Sequence, residues 1–311
     1  MIKTSRRSVK QCVILSGKGG TGKTSLCASL MQLSSQSTSG VFVDADVDAA
    51  NLALVTKTEQ LEMHPFSGSK LAKINTNLCE ACGSCYDVCR FDAVIEPLNG
   101  GQSYQINELI CEGCAACVHA CPQRAIHMEV QQDGEWFHSL TPYGHLFHAE
   151  LFPAAENTGK LVTNIKQHAK LYAEDHGYPF ILVDGPPGIG CPVISASSGA
   201  DLALLVAEPG VSGIHDLLRI IQTLEHFQIP VMILVNKADL YPEGTQEIYA
   251  LANAKGYKIC GEIPFEDQVP KAMLAAQPIT QYYPNCPASK AIGNVWGKII
   301  LRLMGTEEED V

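Results

Sequence analysis

The chain has 311 residues, of which 46% are hydrophobic and 18% charged, the composition of a globular protein with a substantial core. Its formal net charge of −11 argues against general nucleic-acid binding, which needs a basic face, so we predict no nucleic-acid partner. Thirteen cysteines without a recognisable secretory leader indicate metal or redox chemistry in a reducing compartment rather than disulfides.

The N-terminal residues Arg6 and Arg7 superficially resemble a twin-arginine export signal. They are followed by a predicted buried strand, Cys12–Ser16, and not by an apolar leader with a cleavage site. Cleavage there would destroy the glycine-rich site that follows, so we expect a cytoplasmic protein. No run of about 18 apolar residues occurs in the sequence, and we therefore expect no stable membrane insertion.

A glycine-rich loop follows the first strand and reads G-K-G-G-T-G-K-T, which fits the phosphate-binding pattern G-x-x-x-x-G-K-[ST]. Leu26, Leu30 and Leu33 recur after it at helical spacing, so the loop joins a strand to a helix. Lys23 supplies charge to the β- and γ-phosphates, and Thr24 offers its hydroxyl to Mg²⁺. The predicted nucleotide contacts are Gly17, Lys18, Gly19, Gly20, Thr21, Gly22, Lys23, Thr24 and Ser25.

Lys18 directly follows the first glycine of this loop. The resulting K-G-G-x-G-K-T resembles the deviant P-loop of the superfamily that contains MinD, ParA, Mrp and the nitrogenase iron protein. This resemblance implies an ATP-dependent homodimer in which Lys18 reaches the nucleotide of the partner subunit and is catalytic. Spacing alone leaves a second interpretation open, in which Lys18 is a solvated loop cation.

A second predicted buried strand, Val41–Val43, is followed by three aspartates within five residues, at 44, 46 and 48. Carboxylates at the carboxyl end of a strand beside a P-loop can position Mg²⁺ or the attacking water. The stretch is similar to the first switch of the superfamily, D-x-D-x-x-x-x-N-L. The similarity implies that Asp46 is a catalytic carboxylate and Mg²⁺ ligand, with Asp48 as a second catalytic candidate and Asn51 as a switch residue that contacts nucleotide.

Eight cysteines form two copies of a ferredoxin pattern, 32 residues apart. The first copy reads C-x₂-C-x₂-C-x₃-C, and the second has the same spacing followed by proline, as in two-cluster bacterial ferredoxins. Because the fourth cysteine of such a run binds the other cluster, we predict two [4Fe–4S] clusters. The predicted ligands are Cys79, Cys82, Cys85 and Cys121 for cluster one, and Cys111, Cys114, Cys117 and Cys89 for cluster two.

Zinc is the rival interpretation of these cysteines, because paired C-x₂-C motifs also bind zinc. Zinc would leave the triple C-x₂-C-x₂-C spacing unexplained. Arg90 stands where a proline usually follows the fourth cysteine, and a cation there would raise the potential of the nearer cluster. We place the cluster domain at residues 74–128, between two segments of the ATPase domain, 1–73 and 129–311. After it, Asp133-Gly134 predicts a turn between two extended segments, residues 126–130 and 135–140.

Residues 156–162 read E-N-T-G-K-L-V and predict the start of a helix that runs to about His176. A similar stretch belongs to MinD-type ATPases with an inserted ferredoxin domain, and no role is implied for it. The next apolar run, Phe180–Val183, predicts a Walker B strand that ends in Asp184. Asp184 would contact Mg²⁺ through water as a catalytic residue, and Gly188 would let the second switch move with the γ-phosphate.

Cys191 follows Asp184 by seven residues. At the corresponding offset the nitrogenase iron protein carries a cysteine that holds a cluster between two subunits, and the alternative is a small buried thiol. Three other cysteines, Cys12, Cys27 and Cys260, lie inside apolar elements and are predicted to be core residues. Cys286 lies in a loop, which favours exposure, and it receives no role.

A predicted strand, Val231–Val235, is followed by N-K-x-D at Asn236–Asp239, which resembles the guanine-reading motif of GTPases. In the superfamily named above the asparagine instead contacts adenine, so the resemblance implies ATP/ADP as the nucleotide. Pro264 and Asp267 are assigned to the base-side loop on the same grounds. We expect the last helix, residues 288–304, to pack against the sheet, because an acidic tail follows it and anionic lipid would repel that tail.

The sequence therefore predicts an α/β P-loop NTPase with a doubly wound, mostly parallel sheet and an inserted small α+β ferredoxin domain. The first functional hypothesis is ATP-gated electron transfer through the clusters to a protein redox partner. The second is metallocluster assembly or carriage to an acceptor protein, as in the Mrp branch. The third is a MinD-like positioning or scaffold ATPase whose clusters are structural.

Overall fold

The computed structural model describes residues 8–97, 101–153, 155 and 157–305. The two arginines of the export-like stretch, Glu156 and the acidic tail at 307–310 lie outside the described residues. The chain divides into two compact units. Unit 1 comprises Met1–His64, Trp136–Glu150 and Thr158–Val311, and unit 2 comprises Pro65–Glu135 and Leu151–Asn157.

The described residues form thirteen strands and eleven helices. The strands are β1 (Lys10–Ser16), β2 (Val41–Asp44), β3 (Glu59–Phe66), β4 (Lys70–Ile74), β5 (Val94–Ile95), β6 (Gln105–Ile106), β7 (Ile126–Val130), β8 (Gly134–Thr141), β9 (Gly144–Leu151), β10 (Phe180–Pro187), β11 (Leu202–Ala207), β12 (Val231–Asn236) and β13 (Lys258–Ile263). The helices are α1 (Lys23–Ser35), α2 (Leu52–Val55), α3 (Ser84–Asp87), α4 (Ala116–Ala120), α5 (Thr158–His176), α6 (Cys191–Ser197), α7 (Val211–His226), α8 (Pro242–Lys255), α9 (Val269–Leu274), α10 (Ile279–Tyr282) and α11 (Pro287–Met304).

Unit 1 is built on a nine-stranded sheet with the order β13-β12-β11-β1-β10-β2-β9-β8-β3. The pairs from β13 through β9 are parallel. Strands β1, β2, β10 and β11 are almost entirely buried, as expected for parallel strands with both faces covered by helices. The predicted mostly parallel α/β sheet is therefore confirmed, and its central strands bring the glycine-rich loop and the strand-end aspartates to one edge.

The last helix, α11, packs on this sheet as the sequence predicts. Its residues Ile292, Val295, Trp296 and Ile299 are buried in the core that also contains the apolar side of α1. Among the described residues no helix is long and apolar enough to cross a membrane.

Cys286 is not exposed, so the expectation from its loop position was wrong. Only 2% of its surface is exposed, and its Sγ accepts a hydrogen bond from Ser289 N at 3.3 Å at the start of α11. The thiol is buried because it caps a helix that packs into the core. Cys12, Cys27 and Cys260 are buried as predicted.

The two segments on either side of Asp133-Gly134 are strands, as predicted, but they do not pair with each other. Strand β7 pairs antiparallel with β4, whereas β8 belongs to the nine-stranded sheet of unit 1. The Asp133 side chain accepts hydrogen bonds from the backbone N–H groups of Gly68 and Ser69, both at 2.6 Å. Asp133 thus joins two loops that are distant in sequence, and a local turn would not use it in this way.

Unit 2 contains two short antiparallel ribbons, β4 with β7 and β5 with β6. Its small core consists of Ala72, Cys85, Val94, Cys117 and Ile126, with other cysteines packed against them. The segment predicted as the cluster domain, 74–128, lies within unit 2. The compact unit is wider than that segment because the β4–β7 ribbon extends it on both sides.

Candidate nucleotide and cluster sites

The glycine-rich loop connects β1 to the first turn of α1. Gly20 and Gly22 have φ angles of +78° and +90°, in the left-handed region that glycine adopts without strain. Helix α1 carries no acidic residue in its first turn, so its unpaired N–H groups and its dipole favour an anion at this end. This backbone conformation fits the phosphate cradle that the motif predicts.

Gly22 also packs closely against Asn236, which gives a first prediction. A Cβ at position 22 would lie 2.5 Å from Asn236 Nδ2, whereas a Cβ at Gly19 would meet nothing within 4 Å. Gly22→Ala is expected to destabilise the nucleotide-free protein by about 1–3 kcal/mol, and Gly19→Ala by less than about 0.5 kcal/mol. Urea unfolding of both variants tests this, and equal losses would contradict the described loop conformation.

Lys23 is only 7% exposed, and its Nζ donates a hydrogen bond to Ser16 Oγ at 2.8 Å. Burial lowers the pKa of Lys23, while the neighbouring carboxylates Asp184 and Asp46 raise it. Ser16 is a site residue that the sequence patterns did not identify. It ends β1 and its carbonyl accepts a hydrogen bond from Gly188 N at 3.0 Å, so it joins the phosphate loop to the second switch.

Asp184 lies within β10 and is fully buried. Among the described residues neither of its carboxylate oxygens accepts a hydrogen bond of good geometry, although the Thr24 hydroxyl lies close enough to lower its pKa. Burial raises its pKa to about 6, against the lowering effects of Lys23 and the Thr24 hydroxyl. A buried carboxylate with unused oxygens is costly unless a cation or its bound water completes it, so this arrangement fits Mg²⁺.

Asp44 organises the first switch, a role that the sequence analysis did not assign. Its carboxylate accepts hydrogen bonds from Asp46 N at 3.1 Å and from Leu52 N at 2.9 Å, which closes the loop between them. Burial, and next the charge of Asp184, raise the pKa of Asp44 well above its ordinary value. The signal in the sequence was the first aspartate of the D-x-D pattern, which lies at the end of a buried strand.

The other residues of the first switch differ in their surroundings. Asp46 is half-buried, and burial raises its pKa, while the nearby charge of Lys23 lowers it. Asp48 is exposed, and Thr158 Oγ1 donates a hydrogen bond to its carboxylate at 3.5 Å. Asn51 is exposed and its side chain donates to Ala49 O at 2.7 Å, within the loop itself. Of these three, Asp46 is electrostatically coupled to Lys23.

Lys18 forms an ion pair with Glu208 of its own chain, at 3.4 Å. Glu208 also pairs with Lys237 at 3.1 Å, and Lys237 Nζ donates to the loop carbonyl of Gly20 at 3.1 Å. Because both ends of the Lys18 pair are partly exposed, the pair contributes less than about 1 kcal/mol. Lys18 can therefore leave Glu208 at little cost.

A cavity of about 280 Å³ lies beside the phosphate loop, on the side where a base is expected. Its lining includes Gly22, Asn236, Pro264 and Phe265. Asn236 Nδ2 donates to Thr21 O at 2.7 Å, which holds the end of β12 against the loop. Asp267, which the sequence analysis assigned to this loop, is exposed and is not among the lining residues.

Asp239, the last residue of N-K-x-D, is engaged within the protein. Its Oδ1 accepts a hydrogen bond from Phe265 N at 2.6 Å. The carboxylate thereby holds the backbone that leads into the base-side loop. This differs from the guanine-reading use that the motif also suggests.

The cysteine segments of unit 2 repeat in backbone conformation as well as in sequence. Three pairs of residues with positive φ are each 32 positions apart, the same spacing as the two cysteine runs. The pairs are Ala81 and Gly113 (+53° and +61°), Gly83 and Ala115 (+81° and +61°), and Asp92 and Arg124 (+53° and +52°). Four of the six are not glycine, so the left-handed turns are held at some cost in strain.

Two backbone hydrogen bonds of unit 2 are also related by the spacing of 32 residues. Asn75 N donates to Ala125 O and Asn107 N donates to Ala93 O, both at 2.7 Å, so each half is bonded to the other. At Gly113 a side chain could not replace the glycine, because a Cβ would lie 2.1 Å from Lys70 O. Unit 2 is therefore internally pseudo-symmetric, with one cysteine run in each half.

Four of the eight cysteines lie around one cavity of unit 2. A cavity of unit 2 is lined by all four predicted ligands of cluster one, including Cys121 from the second run. Cys121 Sγ also accepts a hydrogen bond from Ala125 N at 3.3 Å. Over the described residues, no three His, Cys, Asp or Glu side chains converge to hold a single metal ion. In a cubane each thiolate binds a different iron, so its ligands need no single point of convergence.

Cys191, the remaining candidate, is exposed and begins α6, directly after the second switch. The alternative of a buried thiol is therefore wrong. An interfacial cluster at Cys191 stays a prediction.

Known proteins resemble this chain over most of its length. Residues 12–279 match the family described as CobQ/CobB/MinD/ParA nucleotide binding domain. The chain is 35% identical over 295 residues to MJ0578 of Methanocaldococcus jannaschii, covering 94% of this chain and 96% of that protein. It is 27% identical over 124 residues to the iron-sulfur cluster carrier protein of Aquifex aeolicus, covering 36% of this chain and 34% of that protein. The solved structure of the septum site-determining protein MinD complexed with Mg-ADP from Pyrococcus horikoshii shares the fold, with a TM-score of 0.59, 17% identity, and coverage of 96% and 100%.

Proposed function

This chain belongs to the CobQ/CobB/MinD/ParA family of nucleotide-binding domains, and we propose that it is an ATPase that couples ATP-driven dimerisation to electron transfer through two [4Fe–4S] clusters. Its place among MinD/ParA-type proteins supports ATP hydrolysis. The clusters, the dimer and the coupling are the parts that the proposal adds.

The observation that carries the redox half is the shared spacing of cysteines and left-handed residues in unit 2. Alternation of left-handed and right-handed backbone directs successive N–H groups into a concave nest, a geometry that many iron–sulfur sites use. Such turns are strained at Ala81 and Ala115, and strain of this kind is found at functional sites. The two sets of left-handed residues, each within a C-x₂-C-x₂-C run, support two cubanes better than two zinc ions.

The nucleotide half rests on the buried carboxylate of Asp184 beside Lys23. In the proposed site Lys23 binds the β- and γ-phosphates, and Thr24 and Asp184 hold Mg²⁺ directly or through water. The bound ion supplies neutralisation of the charge that develops on the phosphates. Asp46, half-buried and close to Lys23, orients the attacking water. Gly188, with φ of +92°, allows the second switch to change conformation as the γ-phosphate is lost.

Lys18 provides a test of the dimer. Lys18→Ala is expected to abolish the MgATP-dependent dimer and to slow hydrolysis at least about 100-fold, because a cation supplied by a partner stabilises the transition state. Nucleotide binding to the monomer should stay within a few-fold, since Lys18 contacts its own Glu208. Light scattering and steady-state hydrolysis measure both.

The matched control is Glu208→Gln, which removes the local partner of Lys18 but keeps the lysine. This variant should still dimerise and hydrolyse ATP. A Lys18→Ala protein that dimerises like the wild type would restore the interpretation of Lys18 as a solvated cation.

The experiment that tests the proposed function is the reduction potential of each cluster in the anaerobically purified protein, with and without MgATP. Coupling predicts a shift of at least one cluster potential on MgATP binding, and no shift with a nucleotide that the site cannot bind. Identical potentials in both conditions would separate the two halves of the protein functionally and overturn the proposal.

Cluster carriage to an acceptor protein is a second candidate, favoured by two observations. Cys82 and Cys114, one ligand from each run, are exposed, which is consistent with a cluster that can be transferred. One relative is named an iron-sulfur cluster carrier protein. Carriage predicts that a chelator or an apo-ferredoxin removes the clusters within minutes, whereas electron transfer predicts clusters that persist through repeated reduction and oxidation.

A further inference from the structure

Helix α5 contacts the elements of both nucleotide switches through three residues, Thr158, Gly159 and Lys166. It begins at the residue that directly follows Asn157, the last residue of unit 2 in the chain. The sequence E-N-T-G-K-L-V lies across this junction, and neither the proposed chemistry nor the cluster ligands use it. Its conformational role can be argued from the contacts of these three residues.

Thr158 lies beside the first switch. Its Oγ1 donates to the Asp48 carboxylate at 3.5 Å, the long limit of a hydrogen bond, and both groups belong to unit 1. Asp48 is two residues from Asp46, the carboxylate coupled to Lys23. A small movement of the first switch is enough to make or break this contact.

Gly159 lies against the helix of the second switch. A Cβ at position 159 would lie 2.9 Å from Ser195 Oγ and 3.8 Å from Cys191 O. Glycine therefore lets the first turn of α5 approach α6 closely. Because α6 starts four residues after Pro187, the end of β10, a movement of the second switch moves its N-terminus.

Lys166 joins α5 to the other end of α6. Its side chain is buried, and Nζ donates to three carbonyl oxygens, those of Ser195, Ala196 and Ser198, at 2.7, 2.7 and 2.8 Å. The last carbonyls of a helix lack intrahelical partners, and a positive charge there also complements the helix dipole. All three donors of the ammonium are thus used at the carboxyl end of α6.

The buried ammonium ties the two helices together. Burial, and next the charge of Lys170, lower the pKa of Lys166 to about 7, and its three carbonyl acceptors are the only hydrogen-bond partners of its buried amine among the described residues. If α6 moved away from α5, the ammonium would lose these partners while it remained buried, which is costly. Helices α5 and α6 should therefore move as one body.

From these contacts we propose that α5 transmits the nucleotide state from both switches to the segment of unit 2 that ends at Asn157, with Lys166 as the positioning residue that makes α5 follow α6. This rests on the proposed function, because it assigns a route to the coupling that the function assumes. No contact between the two units is needed, since the peptide chain itself joins α5 to that segment.

The test uses the holoprotein with Lys166→Met, which keeps the length of the side chain and removes the ammonium. Its control is Lys170→Met, one turn further along α5 and exposed. Both variants should keep their iron content and bind MgATP within about twofold of the wild type. The MgATP-induced shift in cluster potential should fall by at least half in Lys166→Met and stay unchanged in Lys170→Met.

A second variant covers the case in which Lys166→Met does not fold. Thr158→Val removes the contact with Asp48 from a helix end and should also reduce the potential shift, while Gln167→Met, at an exposed position on the same helix, should not. If the wild type shows no MgATP-induced shift, the proposed function fails. If the wild type shows the shift and both Lys166→Met and Thr158→Val keep all of it, the relay through α5 is refuted and the function stands.

Discussion

Asp184→Asn is expected to abolish MgATP hydrolysis, by at least about 1,000-fold, and at the same time to stabilise the nucleotide-free protein. The loss of activity follows from the loss of the carboxylate that the Mg²⁺ site needs. The gain in stability follows from the complete burial of that carboxylate, because burial raises its pKa more than Lys23 and the Thr24 hydroxyl lower it. A neutral amide removes the buried charge and its repulsion with Asp44.

The pH dependence of stability has a defined sign at this site. The pKa of Asp184 is about 6 in the folded state, above its ordinary 3.8, so the folded state binds more protons between these values. Stability of the metal-free wild type should therefore fall as the pH rises from about 4 through 6. The shift corresponds to about 3 kcal/mol at pH 7, and Asp184→Asn should recover most of it.

Urea unfolding at several pH values, with a chelator present, measures the change in stability. The rate of ATP hydrolysis with excess Mg²⁺ measures the loss of activity. Asp175→Asn, which removes an exposed carboxylate from the last turns of α5, is the control for loss of one negative charge. It should change neither property appreciably. A nucleotide-free Asp184→Asn protein that is less stable than the wild type at pH 7 would show that the carboxylate has a partner in solution.

The second large effect is expected in the iron content of cysteine variants. Cys79→Ser and Cys121→Ser should each destroy cluster one, although the two residues belong to different runs, because both line the same cavity. Each variant should fall from about eight iron atoms per chain to about four. The double variant should lose no more than either single one, because both changes affect one cluster.

A double variant with one substitution in each predicted cluster should lose more iron than either single variant. Cys79→Ser with Cys111→Ser should remove both clusters and leave almost no iron. Cys286→Ser is the control, since that thiol is buried in unit 1 as a helix cap, and its iron content should equal that of the wild type. Iron and acid-labile sulfide analysis with EPR of the reduced protein distinguishes these cases. Zinc without sulfide in anaerobically purified protein would contradict the cluster assignment.

Two parts of this molecule were predictable because their signals are local in sequence. The phosphate loop is defined by glycines and lysines at fixed spacing, and the central strands are short apolar runs that only a sheet covered on both faces would bury. The position of Asp184 was predictable from such a run, because a residue at the carboxyl end of a parallel strand beside a P-loop must lie at that edge of the sheet. The resemblance to the family depended on one further residue of this loop, Lys18.

The features that the sequence did not predict share the opposite property. The exposure of Cys286 depended on whether a later helix would use its sulfur as a cap and carry it into the core. The pairing of β7 depended on β4, more than fifty residues earlier, and not on the turn that follows it. In both cases the local pattern was compatible with two environments, and partners far along the chain decided between them.

By itself, the sequence determined the position of the glycine-rich loop, the positions of the buried central strands along the chain, and the repeat of the eight cysteines. Each of these depends on spacing within a few tens of residues. Only the tertiary structure decided that Asp44 closes the first switch, that Ser16 accepts a hydrogen bond from Lys23, and that Lys166 donates to three carbonyls at the carboxyl end of α6. These contacts join residues whose side chains have no pattern in common, and their energies arise from burial and hydrogen bonding that exist only once the elements are packed.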